Sequence, residues 1–226
     1  MDIDLHNREK TEIEAKFIWP DNLCIDDFLG VVSNIGFQYS KQMPCFQIDV
    51  YLDTPDYKLL NSDVALRIRK RGENYVGAYK SSQNQQGTIF ERKEFEWLLS
   101  SNEIKLWNEE KKPAIPAIVL DVLNLHGQTL RKVLVIETQR STAIVGSNDG
   151  FKIEVSLDEV IFRGHRGQKS YREIEIELLD AAFERFRKVV NTLQNHFQLQ
   201  PAIDSKYKKG MMLVGKYSVK TPPMSK

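Results

Sequence analysis

The feature that most constrains this chain is a stretch of strict alternation near its start. Over residues 10–19, Glu12, Glu14 and Lys16 fall at every second position, with Ile13, Ala15 and Phe17 between them. A period of two is that of a β-strand, whose successive side chains point to opposite faces. Such a strand has one apolar face to bury and one face crowded with charge. The pattern recurs. Arg67 and Arg69 alternate with Leu66 and Ile68, and Arg92, Glu94 and Glu96 with Phe95 and Trp97. Further on, Lys152, Glu154 and Asp158 alternate with Ile153, Val155 and Leu157, and Glu173, Glu175 and Glu177 with Ile174, Ile176 and Leu178.

Any one of these faces reads as an ordinary solvated surface. Together they read differently, because like charges two residues apart repel and a row of glutamates brings no packing gain. Such a row is stabilised beside cations. Carboxylates with only oxygen donors suit the hard divalent ions Mg²⁺ and Mn²⁺, which in turn favour phosphate oxygens. Paired arginines suit bidentate phosphate contacts. Acids for metal and bases for phosphate, both displayed on strands, describe a site for a polyphosphate–metal complex.

The rest of the chain frames these strands. Strand-like segments are expected at 46–52, 64–70, 75–81 and 88–98, then at 133–140, 142–145, 151–161 and 169–178. Gly72 and residues 84–87 supply turn chemistry, and Asn148-Asp149-Gly150 reads as a hairpin turn. Helical spacing marks residues 25–35, with Gly36 as the stop, together with 117–125, 181–197 and 205–214. The short connections favour antiparallel pairing. The expected fold is therefore α+β, an antiparallel barrel or strongly curved sheet with helices beside it, in one domain over residues 1–217. Residues 218–226, with Pro222-Pro223, are expected to form a loose tail.

Composition removes several classes. The formal net charge is +1, from 32 Lys+Arg against 31 Asp+Glu, so no whole-molecule attraction to nucleic acid or an anionic membrane is signalled. No stretch is long enough to span a bilayer, and the start lacks the basic and apolar regions of a signal peptide. Cys24 and Cys45 have no metal or redox spacing. A cytoplasmic protein with reduced thiols, monomeric or homodimeric, is expected. His6, His126, His165 and His196 are scattered, and Gly164-His-Arg-Gly167 reads as a turn and not as a phosphate loop. Trp19, Trp97 and Trp107 read as packing residues. Arg185, Arg187, Lys188, Lys208 and Lys209 are expected in solvent.

In these residues the chain resembles the CYTH superfamily, the triphosphate tunnel metalloenzymes. Glu12-Ile-Glu14-Ala-Lys16 matches that family's E-x-E-x-K signature. The match continues through Tyr51-Leu-Asp53-Thr54-Pro55, Ala65-Leu66-Arg67-Ile68-Arg69, Lys80 and Arg92-Lys-Glu94-Phe-Glu96. Arg140, the stretch from Glu154 to Asp158, Glu173-Ile-Glu175-Ile-Glu177, Ser205-Lys206 and Gly210 follow in order, so that residues 10 to 215 are spanned. The first motif alone is weak, whereas the ordered series is specific.

The resemblance implies an eight-stranded antiparallel closed tunnel barrel with helices packed outside. It also implies a Mg²⁺- or Mn²⁺-dependent enzyme acting on a small-molecule triphosphate, most like the bacterial inorganic triphosphatases. Carried over position by position, Glu12, Glu14, Glu94, Glu173 and Glu175 would face the metal, with Asp158 as an addition. Lys16, Arg67, Arg69, Lys80, Arg140 and Lys206 would form the phosphate clamp, with Glu12, Glu14, Lys16, Arg67 and Arg69 at the centre of catalysis. Glu177 extends the acidic row beyond the family's two acids. Arg92 and Glu154 are alternatively structural, holding the clamp through buried ion pairs. Thiamine triphosphatases of the family carry a tryptophan before the paired arginines, where this chain has Ala65. No base pocket is legible either, so inorganic triphosphate is the first expectation. An adenylate cyclase of the class IV type, a nucleoside or thiamine triphosphatase, and a non-catalytic polyphosphate-binding module are the alternatives.

Overall fold

The computed structural model describes residues 8–21, 23–109, 111 and 115–215. His6 and the expected tail lie outside the described residues. The chain begins with β1 (Arg8–Ile18), α1 (Ile25–Asn34), β2 (Gln38–Lys41) and β3 (Cys45–Asp53). A short helix α2 (Lys58–Asn61) precedes β4 (Val64–Arg71), β5 (Asn74–Gln86) and β6 (Ile89–Leu98). Helices α3 (Ser101–Asn108) and α4 (Ala117–Val122) lead to β7 (Arg131–Gly146), β8 (Lys152–Gly164) and β9 (Gly167–Asp180). Helices α5 (Phe183–Phe197) and α6 (Lys206–Val214) complete the described chain.

The strands follow the order β7-β3-β4-β5-β6-β1-β9-β8, and β8 pairs back with β7 to close an eight-stranded antiparallel barrel. Closure removes the free edges of the sheet. Strand β2 lies on the same edge of β7 as β3, extending its line, with Lys41 opposite Ala143 and Cys45 opposite Arg140. The two strands expected at 133–140 and 142–145 are one. Ser141 does not interrupt β7, because it stays paired with Leu157 of β8 while the partner on the other edge changes from β3 to β2. Strand β2 has all four residues exposed, so it carries no alternation to read. Helix α3 was legible in principle, since Ser100 and Glu103 form a capping box at its start.

Alternation sorts the residues. The apolar face of β1, β8 and β9 points outward, where Phe17, Val155, Ile174 and Ile176 pack under α1 (Phe28, Leu29, Val32) and α5 (Phe186, Val190, Leu193). Leu66, Ile68, Tyr79, Phe95 and Trp97 form a second outer core with Trp107 of α3 and Val119 of α4. Each such side chain, fully buried, contributes about 1.5–3 kcal/mol. The outward cores fix the register, since a one-residue slip would turn the apolar set into the lumen. All three tryptophans belong to these cores.

A third core lies at one end of the barrel, on the inner face. Tyr207, Met211 and Val214 of α6 pack on Leu134, Ile136, Val160 and Phe162, and Tyr207 stacks on Tyr51 with ring centroids 4.9 Å apart. Helix α6 is thus a plug. Its Gly210 faces β7 and β8 so closely that a Cβ there would lie 2.6 Å from Leu134 Cδ2. Two of the cations expected in solvent lie elsewhere. Arg185 sits 4.8 Å from the Phe151 ring and pairs with Asp149 at 2.6 Å, fastening the β7–β8 turn to α5. Lys209 lies 4.0 Å over Tyr171. In both cases an aromatic face is within reach of a half-buried side chain.

Candidate active site in the barrel lumen

Directly opposed residues of neighbouring strands share a face, so the register gathers the charged rows into the lumen. Asp49 of β3 stands opposite Arg69 of β4, and Ala65 of β4 opposite Lys80 of β5. Lys80 faces Glu94 of β6, which faces Lys10 of β1, while Glu12 of β1 faces Arg92. On the other side Lys16 faces Glu175 and Glu14 faces Glu177, both of β9. Glu173 faces Asp158 of β8, and Asp158 faces Arg140 of β7. The plug helix adds Lys206, placed at its first turn by the cap in which Ser205 Oγ accepts from the Lys208 N–H at 3.2 Å.

These side chains surround a cavity of about 130 Å³. Lys16, Arg67, Arg69, Lys80, Arg140 and Lys206 all reach it, as do Glu12, Glu94 and Glu175. Glu14, Asp158 and Glu173 stand behind that lining. Every expected site residue is therefore in the lumen or its wall. The six expected metal-facing acids do not form one set, and among the described residues three of them converge. Lys80 joins Glu12 (2.6 Å) to Glu94 (3.2 Å), and Glu14 is held by Lys16 and Arg92, each at 3.1 Å. Asp158, Glu173 and Glu175 are the three that converge, each with an oxygen within 4.8 Å of the others.

The cations are aimed by their acid partners. Arg69 donates two hydrogen bonds to Asp49, at 2.7 and 3.0 Å, and Arg140 two to Asp158, at 2.7 and 2.6 Å. Arg67 lies 3.7 Å from both Asp49 and Glu94, and its buried Nε has no hydrogen-bond acceptor. Lys16 reaches Glu175 at 2.8 Å. Arg92 pairs with Glu14 and stacks 5.2 Å from Phe90, the structural role the sequence left open. Glu154 accepts a hydrogen bond from Ser156 at 3.1 Å and, among the described residues, joins no ion pair.

Two lumen charges escaped the sequence reading. Asp49, fully buried, anchors both arginines of β4. Its neighbours on that face are Gln47 and Tyr51, so it forms no row of charge, though its alternation with Ile48 and Val50 was readable. Lys10 continues the Glu12/Glu14/Lys16 face by one step and bonds Glu94 (3.1 Å) and Glu177 (3.3 Å). Asp53, inside the Tyr51–Pro55 motif, is structural. It accepts from the N–H groups of Thr54, Leu59 and Leu60 and from the Tyr207 hydroxyl at 2.7 Å, tying α2 and the plug to β3.

The electrostatics follow from burial against pairing. Burial opposes ionisation of Asp49 most strongly, yet Arg69 and Arg67 together outweigh it and hold the carboxyl at about 2. Burial likewise opposes ionisation of Glu12, but Lys80 and Lys16 bring it to about 2. Glu94, Asp158 and Glu175 are also held below the usual carboxylate range, by Lys80, by Arg140 and by Lys16 respectively, each against burial. Two acids go the other way. Burial pushes Glu173 up in spite of Lys206, and burial with the nearby Glu12 pushes Glu177 up to about 7. Burial works against the charges of Lys80, Arg67, Arg140 and Lys206 too, and surrounding acids outweigh it, keeping all four ionised.

A closed antiparallel barrel whose apolar residues face outward, and whose lumen holds interleaved acids and bases, defines a charged-tunnel protein. Residues 10–210 match the CYTH domain, and the chain belongs to the CYTH domain family. Among solved structures it is similar to a candidate adenylate cyclase from Bacillus halodurans, at 20% identity and a TM-score of 0.61, over 89% of this chain and 97% of that one. It is also similar to a candidate adenylyl cyclase from Hippeastrum described as having a dominant triphosphatase activity. There the identity is 18% and the TM-score 0.60, over 90% of this chain and 96% of that one. These two likenesses establish the fold. Among the described residues no helix is long and apolar enough to cross a membrane.

Proposed function

We propose that this chain hydrolyses a triphosphate, inorganic triphosphate first, to diphosphate and phosphate with Mg²⁺ or Mn²⁺. Family membership supports an enzyme acting on a triphosphate. The observation that carries the finer reading is the convergence of Lys16, Arg67, Arg69, Lys80, Arg140 and Lys206, from four strands and the plug, on one small cavity. Interleaved acids hold most of these cations in place before any ligand arrives. Preorganised charge of this kind stabilises developing charge on phosphoryl oxygens without reorganisation during the reaction.

The residues present fit a hard divalent ion. Asp158, Glu173 and Glu175 offer oxygen donors only, and Asp158 and Glu173 are buried. Among the described residues Glu12, Glu14 and Glu94 make no such cluster, since Glu12 and Glu94 share Lys80 while Glu14 is held by Lys16 and Arg92. An ion held by Asp158, Glu173 and Glu175 would supply charge neutralisation at phosphate oxygens and a more acidic bound water. The chain itself does the rest. Arg69 and Arg140 present fixed guanidinium groups to the phosphates, while Lys16, Lys80 and Lys206 add mobile point charges. Direct attack by water fits better than a covalent intermediate, because Ser156 is engaged with Glu154 and Ser205 with the α6 cap, and the described histidines are exposed.

Ala65 lines the cavity beside Arg67, where the family's thiamine triphosphatases carry a tryptophan, so thiamine triphosphate is not the first choice. One observation favours a second reading. A chamber of about 280 Å³, lined by Ser82, Gln83, Asn84, Phe90 and Asp204 among others, shares Arg92 and Ser205 with the tunnel. Amides beside an aromatic ring suit a base or sugar attached to the phosphates, so nucleoside triphosphate hydrolysis or cyclisation is the alternative. Phosphate release measured on inorganic triphosphate, ATP and thiamine triphosphate, with Mg²⁺ or Mn²⁺, tests these readings. Inorganic triphosphate is expected to turn over fastest. Cyclic AMP with diphosphate from ATP would make the protein a cyclase, and tight binding without turnover would leave a polyphosphate-binding module.

A further inference from the structure

The ammonium of Lys206 sits inside the acidic group at the plug end. Its Nζ lies 2.8 Å from Asp158 and 2.8 Å from Glu175, and it also contacts Glu173. Lys206 lines the cavity while Asp158 and Glu173 do not, so the lysine stands between these two acids and the lumen. Arg140 and Lys16 are also bound to this group, through Asp158 and Glu175. Glu173 is different. Lys206 is the one cation in contact with it among the described residues.

Two demands on Lys206 therefore conflict. As part of the clamp it should point at phosphate, yet here it satisfies the oxygens that a divalent ion would need. The helix carrying it is locked by the Tyr207–Tyr51 stack and the close packing of Gly210, so α6 has little freedom to shift. The lysine stem is flexible, and its rotation alone can move the charge from acids to lumen. That move is unfavourable while Glu173 would be left without a close cation, Asp158 and Glu175 with only Arg140 and Lys16, and the ammonium without an anion to meet it. It becomes favourable when a cation takes the acids and an anion waits in the lumen.

We infer that Lys206 is an exchangeable internal cation, which holds Asp158, Glu173 and Glu175 in the ligand-free protein and yields them to a divalent ion when a polyphosphate is present to receive its charge. Resting on the triphosphate reading above, this makes metal and polyphosphate bind cooperatively, and by linkage each strengthens the other to the same degree. Lys206 is then a positioning residue for the metal as well as a phosphate contact.

The test is Mn²⁺ binding followed by electron paramagnetic resonance, with and without the non-hydrolysable imidotriphosphate. Wild-type protein should bind Mn²⁺ weakly alone and roughly 5- to 150-fold more tightly with imidotriphosphate, the usual span of such coupling. Lys206→Gln should bind Mn²⁺ alone more tightly than wild type by a factor in that same range, and should gain less from the analogue than wild type does. Lys93→Gln, which removes an exposed cation paired with Glu9 outside the lumen, should leave Mn²⁺ affinity as in wild type. Mn²⁺ affinity in Lys206→Gln equal to or weaker than wild type overturns the inference. Should that variant unfold when metal-free, saturating Mn²⁺ must restore a cooperative melt, and failure to do so also overturns it. Absence of phosphate release with this Mn²⁺ pattern intact would remove hydrolysis while leaving the exchange standing.

Discussion

Glu14 stands between Lys16 and Arg92, each 3.1 Å away, with almost no solvent access. Its place in the first strand made it the central expected residue, and its surroundings show what its charge does. It fixes one clamp lysine and one arginine at once. Glu14→Gln keeps the shape and removes the charge, so both cations lose their orientation. We expect phosphate release to fall about 10²–10³-fold, the usual loss when one preorganised electrostatic partner is removed. Near-UV circular dichroism should show an intact fold, and unchanged turnover would take Glu14 out of the site.

At the scale of elements, the plug helix joins folding to chemistry. Gly210 lies one turn beyond Lys206, on the same face of α6. Only a residue without Cβ fits there, because Leu134 Cδ2 and Phe162 Cδ1 would lie 2.6 and 2.8 Å from that atom. Gly210→Val overpacks this contact at a cost of about 1–3 kcal/mol. Valine's higher helix propensity returns less than about 1 kcal/mol, so destabilisation wins. Urea unfolding should show that loss. Turnover should fall further than the loss of folded protein explains, because α6 must rise from the barrel and carry Lys206 with it. A variant with wild-type stability and turnover would mean that the plug is not seated as described.

For the molecule as a whole, the lumen makes stability depend on acid. The carboxyl of Asp49 is held at about 2, against an ordinary value of 3.8, because Arg69 and Arg67 outweigh its burial. A depressed folded value means that the unfolded chain takes up the proton first as pH falls. The stabilisation is thus complete above about pH 4 and is lost as pH falls through about 2. The difference corresponds to about 2 kcal/mol. Urea unfolding from pH 6 down to pH 2 should show this decline, and Asp49→Asn should make it shallower while lowering stability at pH 6, with Glu12 and the other depressed acids supplying the remainder. An unchanged slope in the variant would assign the acid sensitivity to other carboxylates.

Much of this was written in the order of residues. Alternation in Glu12–Lys16, Arg67–Arg69, Arg92–Glu96 and Glu173–Glu177 determined the strands and grouped their charges by face, because a period of two leaves each side chain only two directions. The ordered motifs gave the family and the tunnel barrel. Which of the two directions is inward was not a local property. It was decided by α1, α3, α4 and α5, which cover the apolar faces from outside and leave the charged faces to the lumen. Asp49 and Lys10 joined the site only through their partners across the barrel, and of the expected metal-facing acids Asp158, Glu173 and Glu175 converged around Lys206. Lys206 is the clearest case. Its motif placed it near phosphate, but only the seating of α6 put its ammonium among Asp158, Glu173 and Glu175, since contacts between residues far apart in the chain follow from packing and not from sequence spacing.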